Sequence, residues 1–169
     1  MMELFEAINS RATAGRLVEP GPSAEQLQKL IAAASRAPDH GRMKPWRFVV
    51  VNGAARETFA TAVAEARRAR LPDMTDDQIV AEKDKVHRSP TIMVVGCAVT
   101  KGNSKVPEIE QVIAVGAAVE NMLLAANAMG LGAMWKTGPA AYDAGVKAAV
   151  GLGPEDHIVA ILHLGTRAK

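Results

Sequence analysis

The chain has a single cysteine, Cys97, in 169 residues. That excludes an internal disulfide and any thiol-rich metal site. A lone thiol inside an apolar strand pattern is ordinarily a small core residue. Aromatic residues make up only 4 % of the sequence although 49 % is hydrophobic, so a core must be assembled from Ala, Val, Leu, Ile and Met. The formal net charge is only +2 and no dense run of Lys and Arg occurs. Nucleic acid and an anionic membrane are therefore not expected as main partners. No apolar run of about 20 residues stands out, so no bilayer crossing is expected. The start, Met-Met-Glu-Leu-Phe-Glu, lacks the basic opening and long apolar centre of a secretion signal. A cytoplasmic protein is the expectation.

Familiar catalytic motifs are missing too. Gly130-x-Gly132 has neither the third glycine nor the preceding strand of a dinucleotide fingerprint, because a helical pattern precedes it. No phosphate loop ending Gly-Lys-Ser/Thr occurs. His40, His87, His157 and His163 are not spaced with carboxylates or thiols as metal ligands would be. His163 sits in a buried strand pattern, the usual place of a core histidine. No Ser or Cys occupies a nucleophile elbow.

What is present reads as alternating helices and strands in one domain, residues 1–169, large enough for a real core. Leu4, Phe5 and Ile8 suggest a short first helix. Ser23 and Gln26 form a capping box before Leu27, Leu30, Ile31 and Ala34, which share one helical face. Phe48 to Val51 reads as a buried strand, 55–70 as an Ala-rich helix ended by Pro72, and Thr75 with Gln78 as a second capping box opening a charged helix to about Lys85. The polar stretch 67–88 is either a lid over a pocket or an ordinary exposed helical pair. Thr91 to Val99 is a second buried strand. A long helix from about Glu108 to Met129 is apolar nearly all round, so it is buried either in the core or across a subunit interface. Gly130 ends it, a short strand and turn follow over 131–138, a small helix over 140–150, and a last strand over 157–164.

Two loops carry the chemistry. Residues 36–51, Arg-Ala-Pro-Asp-His-Gly-Arg-Met-Lys-Pro-Trp-Arg-Phe-Val-Val-Val, place two prolines, a glycine, a histidine and several cations between a helix end and a strand. Such a stiff, positive loop suits an anionic or electron-rich ligand, or it is simply a solvated connection. Residues 10–16, Ser-Arg-Ala-Thr-Ala-Gly-Arg, set a hydroxyl between guanidinium groups, suited to phosphate. A polar helix end is the alternative there.

Arg36 to His40, Pro45 to Val50, Arg11 to Arg16, Gly130 to Gly138 and His163 to Thr166 together resemble the nitroreductase family, in particular its small FMN-dependent NAD(P)H nitroreductases. The resemblance runs through essentially the whole chain in order. It implies an α+β fold: a three-layer α/β/α sandwich with a central mixed sheet of about four to five strands and a long buried central helix. It implies a homodimer with FMN at the interface, NAD(P)H as hydride donor, and a small nitroaromatic or quinone acceptor reduced in a two-step exchange. The phosphate grip falls on Arg11, Ala12 and Thr13. Gly15 stands where the family commonly has a cation near flavin N1 and O2, which leaves Arg16 as the partner. Arg36 and His40 match positions reaching the flavin held mainly by the other subunit, and Trp135, Lys136 and Thr137 match the segment lining it. Trp135 is equally readable as a core aromatic, Trp46 is assigned to packing, and Arg167 is a loose match for a second phosphate contact. The chemistry then belongs to the flavin, with no side chain acting as acid or base. The chain stops soon after its last strand, so an exchanged C-terminal tail is expected to be reduced. Alternatives are a same-family flavin enzyme of another reaction, such as dehalogenation or dehydrogenation, and a flavin-binding module without turnover.

Overall fold

The computed structural model describes residues 2–168. Six helices alternate with five strands among them: α1 (Leu4–Ser10), β1 (Leu17–Val18), α2 (Ala24–Ala34), β2 (Trp46–Val51), α3 (Gly53–Arg70), α4 (Asp76–Asp84), β3 (Thr91–Cys97), α5 (Glu108–Ala128), β4 (Gly132–Lys136), α6 (Ala144–Ala149) and β5 (His157–Arg167). Both capping boxes form: Ser23 accepts from the Gln26 amide and Thr75 from that of Gln78, and each glutamine returns the contact. The two-residue β1 has no sequence signal of its own. It exists only because β5 extends three residues beyond Leu164 and offers Thr166 and Arg167 as partners.

The α+β sandwich expected from the resemblance is present, with one difference. All four ladders are antiparallel, in the order β1-β5-β3-β2 with β4 also on β5, where a mixed sheet was anticipated. Strands separated by helices usually run parallel; here the crossovers return the chain in the opposite sense. Alternation along β3 sends Met93, Val95 and Cys97 to one core, with α2 and α5, and Ile92 and Val94 to the other, with Phe59 and Ala60 of α3 and Val146 of α6. Helices thus cover both faces. Burial pushes the Cys97 thiol up to about 11, helped by the nearby charges of Asp156 and Glu108, as befits a core thiol. Trp46 packs half-buried against the first core.

A bulge interrupts the β3–β5 ladder: Val95 faces Ala160 but Gly96 faces Ile158, leaving Val159 unpaired. The extra residue shifts the alternation, so Ala160 and the partly buried Val159 both serve the α5 core while Ile158 and Ile161 serve the other.

At 21 residues, α5 is long and apolar enough to cross a membrane by length and composition, contrary to the sequence expectation. In this fold it is a core helix, with Val115, Ala118, Val119 and Met122 essentially inaccessible. Its opposite side leaves Ile109 and Ile113 exposed, as α1 leaves Leu4 and Phe5. Its C-terminus closes in a Schellman motif: Leu131 N–H donates to Ala126 O and Gly130 N–H to Asn127 O, both at 2.9 Å. Gly130 takes φ +75° there, a conformation costly for other residues. One turn earlier, the buried Asn127 side chain donates to Ala7 O (3.0 Å) and Ser10 Oγ (2.9 Å), fastening α1 to α5. Asn127→Ala removes both bonds, leaving Ala7 O with only the Arg11 amide and Ser10 Oγ without its Asn127 donor. It is expected to cost about 2 kcal/mol and to lower Tm by roughly 4–8 °C in calorimetry; an unchanged Tm would show that α1 is held by other contacts.

Candidate functional site

The site is built where β5 meets β4 and β1. β4 pairs with β5 from Gly132–Gly165 to Lys136–Ile161, and β1 pairs with the two residues just beyond. The loop 11–16, which leads into β1, is therefore drawn against β4: Ala14 N–H donates to Ala133 O at 2.9 Å. Arg167 closes the arrangement by donating from Nη2 to Ala12 O at 2.9 Å. Contact here is close. A Cβ on Gly132 would come within 2.5 Å of Leu17 Cδ2 and 2.9 Å of Arg167 Cγ, so a larger residue would force those side chains to shift. Ala12 and Thr13 lie exposed on this loop. Arg11 caps the end of α1 and lies 3.9 Å from Glu120 of α5.

Beside this loop a cavity of about 410 Å³ is lined by Gly15, Arg16, Leu17, Val18, Arg88, Ser89, Met134, Lys136 and His163. Three cations, Arg16, Arg88 and Lys136, share it. The register explains Lys136 and Met134: they face Ile161 and His163 across the ladder, and directly opposed residues share a sheet face. His163 is buried and its Nδ1 lies 2.8 Å from Ser89 Oγ. Burial first, then the positive charges of Lys136 and Arg56, lowers its pKa to about 4, so it is neutral near pH 7. It is thus the satisfied core histidine anticipated, but it is also part of the cavity wall. Ser89 is held in turn by Arg56, whose guanidinium donates to the carbonyls of Val86, Ser89 and Pro90. That clamp also ties down the polar 67–88 excursion, where Glu82 of α4 pairs with Arg67 of α3 and with Lys85 in its own segment. The excursion roofs a second hollow of about 170 Å³ that His163, Lys136 and Thr137 also line.

Other predicted residues fall elsewhere. Trp135 points to the sheet face opposite Lys136, since its ladder partner is Leu162 of the α5 core. It is half-exposed, and its indole N–H donates to Val159 O, the carbonyl of the bulged residue, at 3.0 Å. Thr137 lies past the strand end and lines a third hollow, of about 510 Å³, with Ile109, Tyr142 and His157. Arg36 is exposed after α2, and His40 sits 2.5 Å from Glu110 of α5 through Nδ1. Glu110 and Glu120 are ten residues apart, about 15 Å along the helix, so His40 and Arg11 engage opposite parts of α5. One chain therefore gathers Arg11 to Arg16, Lys136 and Arg167, but not Arg36 and His40. Arg88 and Ser89 were not singled out from sequence. They precede β3 in a polar segment, and only the Arg56 clamp brings them to the cavity.

Comparison with known proteins agrees with this architecture. The model of the nitroreductase family matches residues 17–166. YdjA of Escherichia coli K12, which carries the provisional name NAD(P)H nitroreductase, is 39% identical over 98% of this chain and 88% of its own. The crystal structure of a nitroreductase-like family protein from Bacillus cereus superposes with a TM-score of 0.82 at 24% identity, covering 100% of this chain and 88% of that one. A Desulfovibrio desulfuricans protein solved in complex with FMN gives 0.73 at 26% identity, covering 98% and 87%. The sandwich with its β4–β5–β1 junction is that of a family fold, and this chain belongs to the nitroreductase family.

The neutral His163 makes a prediction about stability. Its folded-state pKa lies below the unfolded value near 6.5, so between those values the unfolded chain binds more protons. Stability is then lost as pH falls from about 6.5 to about 4, by roughly 3 kcal/mol in total. Urea unfolding of the wild type and of His163→Gln across that range checks it. The wild type should show the extra slope; parallel curves would mean that the histidine is protonated as readily in the fold as outside it.

Proposed function

We propose that the chain is a single FMN-binding domain, residues 1–169, and works as a homodimeric, cytoplasmic NAD(P)H-dependent oxidoreductase. It reduces a small acceptor, a nitroaromatic or a quinone. The observation that carries this reading is the convergence of Arg16, Arg88 and Lys136 on one cavity beside the Arg11–Thr13 loop, which Arg167 ties in place. The donors suit the cofactor: guanidinium and hydroxyl groups match a phosphate, and cations beside a cavity match the electron-rich edge of a flavin. Support also comes from the family and from the FMN complex of the Desulfovibrio protein.

In this reading Arg11, Ala12, Thr13 and Arg167 hold the phosphate, and Arg16 and Lys136 lie near the N1 and O2 edge. Thr137 flanks the ring system, and Trp135, whose side chain faces the other side of the sheet, lends its backbone to the same segment. Arg36 and His40 come from the second copy, consistent with their distance from the loop along α5. The exposed Leu4, Phe5, Ile109 and Ile113 supply an apolar face for that copy. When bound, FMN supplies the hydride-accepting N5, taking hydride from NAD(P)H and yielding it to the acceptor after exchange. The protein orients it, excludes water from the cavity floor and holds a positive field at the pyrimidine edge. No side chain is required to move a proton.

The test is direct. The purified protein supplied with FMN should be yellow, elute as a dimer and oxidise NAD(P)H only when a nitroaromatic or quinone is present. Arg11→Ala should weaken FMN by about 1.5–3 kcal/mol in a fluorescence titration. A protein that stays colourless with excess FMN contradicts the reading; unchanged FMN affinity in the variant moves the phosphate site away from Arg11.

A further inference from the structure

We infer that His163, set by Ser89, is a hydrogen-bond acceptor that recognises the N3–H of the flavin's pyrimidinedione ring, with Arg16, Arg88 and Lys136 donating to the flanking carbonyl oxygens. This rests on the FMN reading above and adds a pair, His163 and Ser89, to which the family resemblance assigns no role.

The hydrogen-bond network fixes the histidine's orientation. Ser89 Oγ donates to Thr91 O at 3.3 Å. That acceptor leaves the oxygen free to receive a second proton, and the positive charges of Lys136 and Arg56 near the ring favour a lone pair on its open nitrogen, so we assign the 2.8 Å contact as His163 Nδ1–H donating to Ser89 Oγ. The ring is neutral, so Nε2 carries the lone pair. Nε2 makes no hydrogen bond among the described residues. Yet no buried side-chain nitrogen or oxygen among the described residues lacks a partner. Nε2 is therefore the part of His163 that reaches open space, and the space His163 lines is the cationic cavity and its smaller neighbour.

The wall is thus an acceptor among donors. Arg16, Arg88 and Lys136 can only donate, and His163 Nε2 can only accept. The complementary ligand edge is a donor flanked by two acceptors, the C2=O, N3–H, C4=O sequence of a pyrimidine-2,4-dione. A fully deprotonated anion, such as sulfate or a phosphomonoester dianion, offers acceptors only and leaves Nε2 unmatched. Surrounding cations keep the ring unprotonated and so preserve the acceptor. The pair is also built to hold still. Ser89 is only 3 % exposed and His163 7 %, and the Arg56 clamp fixes the Ser89 backbone through its carbonyl.

The test compares FMN with 3-methyl-FMN, which lacks the N3 donor, in flavin-fluorescence titrations of the apoprotein. The wild type should bind FMN at least about tenfold more tightly than the methylated analogue, the size of one well-formed hydrogen bond. His163→Leu should weaken FMN and bring the two affinities within about twofold of each other, whereas His163→Gln, which keeps an acceptor oxygen, should retain most of the preference. Ser89→Ala reads the same pair without touching the ring. Its ¹⁵N spectrum should move His163 toward the Nε2–H form, and its preference for FMN should shrink. If the wild type binds the two flavins equally, or His163→Leu and Ser89→Ala keep the full preference, the pair does not read N3–H while the FMN reading stands. If the wild type binds neither flavin, both fall.

Discussion

The structure depends on one strand having more partners than the others. β5 carries β3 on one edge and β4 on the other along the same residues, 161–164, and then runs on to hold β1. Because side chains alternate along a strand, that single register decides which residues share a face. It puts Lys136, Met134 and His163 together and turns Trp135 away. It also brings the residue 11–16 loop, from the start of the chain, within hydrogen-bond reach of residues 132–136. Gly132 is the contact that permits this approach, and Arg167 is the tie that closes it.

Buried polar side chains are few among the described residues, and they are satisfied. Asn127 joins α1 to α5. Gln111, also buried, bonds Thr100 through both ends of its amide and Val106 through its nitrogen, which holds the loop between β3 and α5. Arg56 gathers three carbonyls at the entrance to β3. Each of these satisfies buried backbone groups in place of water. Of the three, Arg56 bears on the cavity, by fixing Ser89 in its wall, and the cations Arg16, Arg88 and Lys136 line the space beside it.

Local signals in the sequence were reliable where the cause is local. Ser23 with Gln26, Thr75 with Gln78 and Gly130 announced helix ends through chemistry confined to a few residues. The apolar runs at 91–99 and 157–164 read as strands for the same reason, although β3 stops at Cys97 and β5 runs on to Arg167. What depends on distant parts of the chain was not legible. β1 is two residues long and exists only because β5 continues beyond Leu164. The antiparallel sense of the sheet is set by how crossovers pack, not by composition. The pairing of Ser89 with His163 spans more than seventy residues and is supported by Arg56, which in sequence is one cation on a polar helix. The motifs at Arg11 to Arg16 and Gly130 to Gly138 were legible as a resemblance, but their meeting at one cavity is a property of the β5 register.

The central claim is that residues 11–16, the 134–137 segment and the end of β5 form one flavin site through that register. Hydrogen–deuterium exchange of the protein with and without FMN tests it most directly. The account predicts that FMN slows exchange together in peptides covering 11–18, 132–138 and 163–168. Protection confined to other regions, with these three segments unchanged, would contradict it.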